Sequence, residues 1–387
     1  ATPLCTPSRV EILTGQYSFH NYLRWGELQP GEVTFANHLQ RAGYATAFAG
    51  KWHMGGWESN PPEIARAGFG EYFSYDAAQV LADSQRGLGN RYWGGAFIEN
   101  GRTSKLERYG PDVRCDFLID FMRRHRDAPF LAYFCLSAMH RPFHPTPAHP
   151  DAPAAGEQPP AAWMTSRGEA ENFAPMLNYA DGLVGRLLAA LDELQLAQNT
   201  VVIFTAHNGT DNKGEAKTIR SKFRDRLVSG GKYFPTELGA EVPLIVRWPG
   251  NTAPGGVTDA LVDFTDVLPT LCELAGADRD DEPTDGQSFA GCLTGGAACG
   301  KPFIYTWGNF DHNSRRYKDP VTFADSFLHI ARDKQWKLYS DGRLFNIGED
   351  FFEERAISAG TDAAADAART RLERSLSKLR TSSFRKW

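Results

Sequence analysis

Residues 129–136 (Pro-Phe-Leu-Ala-Tyr-Phe-Cys-Leu) are apolar without interruption and are bounded by polar residues. A strand wetted on one face would alternate, so a continuous run of this length suits a strand buried on both faces. Similar short runs occur at 44–49, closed by Gly50, at 200–205 and at 241–248. Between them lie segments with helical periodicity at 35–42, 112–126, 172–194 and 263–275, and Pro7 to Leu13 reads as a helix start because proline is tolerated in a first turn. This alternation predicts an α/β chain whose main body is a mostly parallel central sheet flanked by helices. The pattern changes after the Gly-, Ala- and Cys-rich stretch 291–300. Residues 303–307, 326–331 and 336–339 then read as antiparallel strands, followed by a charged helix over 361–380. The expected organisation is an α/β domain over 1–295 and a smaller C-terminal α+β subdomain with an antiparallel sheet over 296–387.

Composition narrows the function classes. A hydrophobic share of 42% in 387 residues supplies ample material for a large core. The net charge of -5 disfavours a nucleic-acid binder. No apolar run approaches the roughly 18 residues of a membrane span, and the first residues show no signal peptide. The six cysteines form no CxxC pair, which argues against a structural zinc site and a disulfide scaffold, although Cys292 and Cys299 are spaced to bridge a small loop.

In open α/β sheets, ligands bind beyond the carboxyl ends of the strands. Lys51 and His53 follow the run at 44–49, His140 follows 129–136, and His207 and Asn208 follow 200–205. Three strands delivering such groups to one rim is what an active site requires. His144 is close enough in sequence to His140 to line the same cleft. The remaining histidines, His312 among them, have no motif around them. From Lys213 to Lys232, seven cations face only Glu215 and Asp225, a local excess that could steer a polyanionic substrate or be a solvated loop.

The sharpest feature is Cys5-Thr6-Pro7-Ser8-Arg9, placed at a helix N-terminus where backbone N–H groups favour anions. It resembles the Cys-x-Pro-Ser-Arg signature of type I sulfatases, the formylglycine-dependent members of the alkaline-phosphatase-like superfamily. Leu13-Thr14-Gly15, Gly50-Lys51-Trp52-His53-Met54-Gly55, Ala138-Met139-His140, residues 199–209, Gly231-Lys232, Glu237 and residues 242–250 resemble further family motifs in family order. So do residues 263–276 and Asp285-Gly286. The resemblance covers nearly the whole chain.

It implies a sulfuric ester hydrolase, acting on a sulfate ester that includes sulfated carbohydrate in its range. Cys5 would be oxidised to Cα-formylglycine by a formylglycine-generating or sulfatase-maturating enzyme. The hydrated aldehyde attacks sulfur with one hydroxyl, displaces the alcohol, and eliminates sulfate through the second. By the same resemblance, Arg9 orients the formylglycine, Lys51 and Lys232 contact sulfate oxygens, His53 takes the proton in elimination, and His140 assists the leaving group. Two other readings stay open: a phosphonate or phosphate monoester hydrolase of the same superfamily, and a catalytically silent sulfate- or glycan-binding relative. The family is often exported, which points to a periplasmic or secreted location.

Two departures concern the metal. The family binds a divalent cation, usually Ca2+, with two adjacent aspartates from a strand preceding the cysteine motif. The sequence begins at Ala1 without them, so it reads as N-terminally truncated, and loss of that strand should expose apolar surface. At the later ligand pair, Asp-Asn is replaced by His207-Asn208, and calcium prefers oxygen. Imidazole suits zinc, copper, iron or nickel better. Asp211 lies close enough in sequence to compensate.

Overall fold

A computed structural model describes residues 2–21, 25–57, 62–154, 157–295, 299–308 and 328–380. His312, residues 296–298 of the expected boundary stretch and residues 326–327 of one expected strand lie outside the described residues. The chain divides into two compact units: residues 36–201 with 211–230, and residues 1–35 with 202–210 and 231–387. They are called here the Lys51 unit and the Cys5 unit.

The Lys51 unit holds a five-stranded sheet of β1 (Ala45–Lys51), β2 (Glu71–Tyr75), β3 (Ala96–Glu99), β4 (Arg102–Lys105) and β5 (Phe130–Cys135), in the order β4-β3-β2-β1-β5. β1 lies between β2 and β5 and pairs in parallel with both. The outer strands are an antiparallel hairpin turning at Asn100-Gly101, both at positive φ (47° and 84°), as a two-residue type I′ turn requires. The helices Gly110–Arg124 and Phe173–Glu193 pack on one another, and the first also packs on β1. Phe48 is fully buried and meets Trp52 and Phe69 edge-on, with ring centroids 5.5 and 5.4 Å away. Each such buried ring contributes about 1.5–3 kcal/mol. At the carboxyl end of β1, Gly50 has φ 114°, and a Cβ there would lie 2.0 Å from the Cys135 carbonyl oxygen. Only glycine lets β1 and β5 close up where the polar groups begin.

From this sheet the chain enters the Cys5 unit for β6 (Val202–Thr205) and returns to the Lys51 unit for the hairpin β7 (Ser221–Phe223) and β8 (Arg226–Val228). It ends in the Cys5 unit with β9 (Leu244–Arg247), β10 (Ile304–Gly308), β11 (Leu328–Arg332), β12 (Trp336–Tyr339) and β13 (Leu344–Asn346). The strands β10 to β13 form the expected C-terminal antiparallel sheet, against which the helix Ala363–Arg380 packs. Cys292 and Cys299 are joined in a disulfide.

Two features depart from the expectation of parallel, buried strands: β5, expected to be buried on both faces, lies at the edge of its sheet and is only half-buried over residues 130–134, and a second ladder is antiparallel. β6 and β9 pair with each other antiparallel as a two-stranded ladder. Among the described residues each has one hydrogen-bonded neighbour strand, and Phe204, Leu244 and Ile245 are exposed at 43%, 40% and 60%. The apolar content of both runs reported strand correctly, but burial depends on neighbours that composition does not specify.

Candidate active site

Cys5 opens helix α1 (Cys5–Thr14), all ten residues of which are buried. The preceding residue, Leu4, is extended, so the chain turns into the helix at the cysteine. Ser8 holds that first turn by donating its hydroxyl to the Leu4 carbonyl at 2.7 Å. Gly15 ends the helix at φ 66° and donates to the Glu11 carbonyl. Cys5 is a buried thiol, and Arg9 lies one turn on, four residues along, hence on the same helix face. Glu11 is wholly buried, and burial raises its pKa even though Ser18 donates to it from its hydroxyl (2.8 Å) and backbone (3.2 Å).

Lys232 is 3% exposed in the same unit. Its backbone N–H donates to the Thr210 carbonyl at 3.0 Å, and the Gly209 N–H donates to the Gly239 carbonyl at 3.0 Å. The Tyr233 N–H donates to the Pro3 carbonyl at 3.1 Å. The lysine loop is thereby stitched both to the His207–Thr210 segment and to the residues just before Cys5. A Cβ on Gly231 would sit 2.3 Å from the Leu238 carbonyl carbon, so this junction requires glycine.

In the Lys51 unit, the parallel pairing of β1 and β5 brings two of the three predicted strand ends together. Lys51, the last residue of β1, is 5% exposed, and its Nζ lies 3.4 Å from His140 Nε2. His140 Nδ1 lies 2.7 Å from the Arg141 carbonyl oxygen and 3.0 Å from Arg91 Nη1. The carbonyl only accepts and the guanidinium only donates, so Nδ1 meets both kinds of partner, and Nε2 is the nitrogen that faces Lys51. Tyr92 donates its hydroxyl to the carbonyls of Ser137 (2.9 Å) and His140, fixing the backbone under the imidazole. His53 follows Lys51 by two residues and is half-buried, while Trp52 between them fills the core. Arg91 and Tyr92 carry no motif, and their role arises only from tertiary proximity to His140.

Three of the eight non-glycine residues with positive φ among the described residues fall at or beside these positions. Among non-glycine residues with positive φ are His53 (59°), Met139 (71°) and Tyr233 (77°): one proposed catalytic residue and the immediate neighbours of two others. Bulky residues avoid this region unless the surrounding structure holds them there, and such positions concentrate at functional sites.

The structure places two residues differently from the sequence expectation. His144 does not line a cleft: it is 2% exposed, and its Nε2 lies 2.9 Å from the Thr165 carbonyl. Burial pulls its pKa down to about 4 from the ordinary 6.5. A depressed folded-state pKa stabilises the fold above the unfolded value, and that stability drains away as pH falls from about 6.5 through about 4. The loss should reach about 3 kcal/mol, and His144→Gln should flatten the urea-unfolding profile across this interval. Asp211 is committed elsewhere, with Oδ2 3.2 Å from Arg141 Nε and Oδ1 accepting from the Lys213 N–H. His207 and Asn208 sit just beyond β6. Asn208 donates its amide to the Gly209 carbonyl at 2.8 Å, while its buried Oδ1 has no hydrogen-bond partner among the described residues.

That amide oxygen suits a hard cation, but calcium takes six to eight oxygens. Among the described residues, no group of three or more His, Cys, Asp or Glu converges on one point. His207 and Asn208 alone therefore do not compose the calcium site that the sulfatase resemblance implies.

Comparison with known proteins bears on the family. Residues 1–277 match the family described as Sulfatase. The chain is 29% identical over 384 residues to mouse steryl-sulfatase, covering 77% of this chain and 58% of that protein. It is 27% identical over 342 residues to dog N-acetylgalactosamine-6-sulfatase, covering 80% of this chain and 60% of that one. It thus spans less than two thirds of the length of either relative. Among solved structures, that described as Ps i-CgsB superposes with a TM-score of 0.73 at 22% identity, over 100% of this chain and 84% of the other, which shows a shared fold. With a family match over residues 1–277, the chain belongs to the sulfatase family.

Proposed function

We propose that the protein is a sulfuric ester hydrolase that uses Cys5, matured to formylglycine by a dedicated modifying enzyme, as its nucleophile. The observation that carries this reading is the Lys51–His140 couple. Two motif residues 89 positions apart are held 3.4 Å from one another at the ends of adjacent parallel strands, in a chain of this family. When formed, the aldehyde supplies a hydrated carbonyl able to take the sulfuryl group and release it. The chain's own residues do the rest. Arg9, on the same helix face as position 5, holds the anionic end of the substrate. Lys51 and Lys232 neutralise charge on the sulfate oxygens, an effect strengthened by burial of both ammonium groups. His140 assists the departing oxygen, and His53 accepts a proton in the release step. Burial of Cys5 and Lys232 excludes bulk water that would otherwise screen these charges.

The substrate class that this reading favours is a sulfated sugar, in keeping with the relative named N-acetylgalactosamine-6-sulfatase. The Cys292–Cys299 disulfide supports an exported protein, since such bonds persist in oxidising compartments. No described helix is long and apolar enough to cross a membrane. The test compares kcat/KM for an aryl sulfate with that for its phosphate and phosphonate analogues, using protein co-produced with a formylglycine-generating enzyme. We expect the sulfate to be preferred by about a hundredfold or more. A preference for the phosphonate would transfer the protein to the neighbouring ester-hydrolase class.

A further inference from the structure

We infer that the β7–β8 hairpin is an exosite for a sulfated polysaccharide chain, so that the natural substrate is polymeric. This deepens the sulfatase reading and rests on it. The segment 211–230 separates its charges by sign. Its acids at the base turn inward: Asp211 pairs with Arg141, and Glu215 accepts the Phe143 N–H at 3.1 Å. Asn212 donates its amide to the Gly230 carbonyl at 3.2 Å and closes the base. The cations face out. Lys217, Arg220, Lys222, Arg224 and Arg226 are all exposed, with Asp225 the one carboxylate in the stretch 217–226.

In a protein of net charge -5, this concentration needs a cause beyond solubility. The N-terminal part of the segment is fixed to Arg141 and Phe143, just after His140, and Asn212 ties its C-terminal end at Gly230 back to that base, so the ribbon extends from the strand end that carries the proposed acid. Leu227 pairs across the hairpin with Lys222 and is 73% exposed. Arg224 stands 5.6 Å from the Phe223 ring centroid at the turn. Cations interleaved with exposed apolar surface match a sulfated sugar, whose ring faces are apolar and whose substituents are anionic. A naked phosphate backbone would use the cations alone.

The experiment measures heparin binding by titration calorimetry at several salt concentrations, with aryl sulfate hydrolysis in parallel. The variant combines Lys217→Gln, Arg220→Gln, Lys222→Gln, Arg224→Gln and Arg226→Gln. A second, milder variant carries only the three hairpin changes at 222, 224 and 226, in case the first folds poorly. We expect heparin affinity to fall about tenfold or more near physiological ionic strength, with a shallower salt dependence, while aryl sulfate kcat/KM is unchanged. The milder variant should show a smaller loss in the same direction. Unchanged heparin affinity in both variants would overturn the exosite. So would duplex DNA binding as tightly as heparin to the parent protein, because the site would then read charge alone. Parent protein that binds heparin through the hairpin yet hydrolyses no sulfate ester would leave the exosite standing and remove the sulfatase reading instead.

Discussion

Cys5→Ala should lower kcat for aryl sulfate hydrolysis by about 10⁴-fold or more, because a nucleophile cannot be replaced by the groups that surround it. Alanine fits the position without strain: Cys5 begins α1 in helical geometry and its thiol is buried, so the change removes one sulfur atom and little packing. The variant should therefore fold and keep its affinity for a non-hydrolysable sulfate analogue within a few-fold, since Arg9, Lys51 and Lys232 remain. Loss of turnover with retained binding separates chemistry from structure. Mass spectrometry supplies an independent reading: the tryptic peptide containing position 5 should carry an aldehyde in place of the thiol in the matured parent protein. Comparable turnover by the alanine variant would end the nucleophile assignment, whatever the peptide mass.

Much of this arrangement was legible in the sequence, for reasons particular to its residues. The run at 129–136 reports a strand because eight successive apolar residues have no other economical placement between polar flanks, and β5 occupies its centre. The motif around Lys51 is readable because Gly50 and Trp52 are each irreplaceable, the first by close contact with β5 and the second by complete burial. What sequence did not show was partnership. Arg91 reaches His140 from a turn 49 residues away, and nothing in Arg91-Tyr92-Trp93 marks it. The Asn100-Gly101 turn carries a hairpin signal, but the strand beside it, Arg102–Lys105, is polar and exposed and so shows no apolar run. β6 and β9 show the converse: apolar patterning announced the strands, while their antiparallel pairing and exposed side chains depended on the tertiary setting.

The other large effect concerns Lys337, which lies in no motif. It lies on β12 at 2% exposure and is the hub of a buried ionic cluster. Its ammonium donates to the Pro235 carbonyl, to Glu237 Oε1 at 2.9 Å and to Glu353 Oε1 at 2.8 Å. Glu237 also faces Arg332, whose Nε is 2.9 Å from its Oε2, and Glu353 accepts the Tyr339 hydroxyl. Burial alone would push the Glu237 pKa up, but Lys337 and Arg332 outweigh it and hold the carboxyl below its ordinary value. Lys337→Met keeps most of the side-chain volume and removes the charge, leaving Glu353 buried without its cation and Glu237 with Arg332 alone. Breaking a buried pair from one side costs about 3–5 kcal/mol, and that loss should appear as a lower urea midpoint. Adding Glu353→Gln removes the stranded charge and should recover a substantial part of the loss, which a mere packing defect at position 337 would not allow. The cluster also anchors residues 235–237, which close the loop carrying Lys232, so at temperatures where the variant remains folded its KM for sulfate ester should rise more than its kcat falls. An unfolding midpoint equal to the parent's would show that the two carboxylates are neutralised by other means and that the Lys232 loop does not depend on this contact.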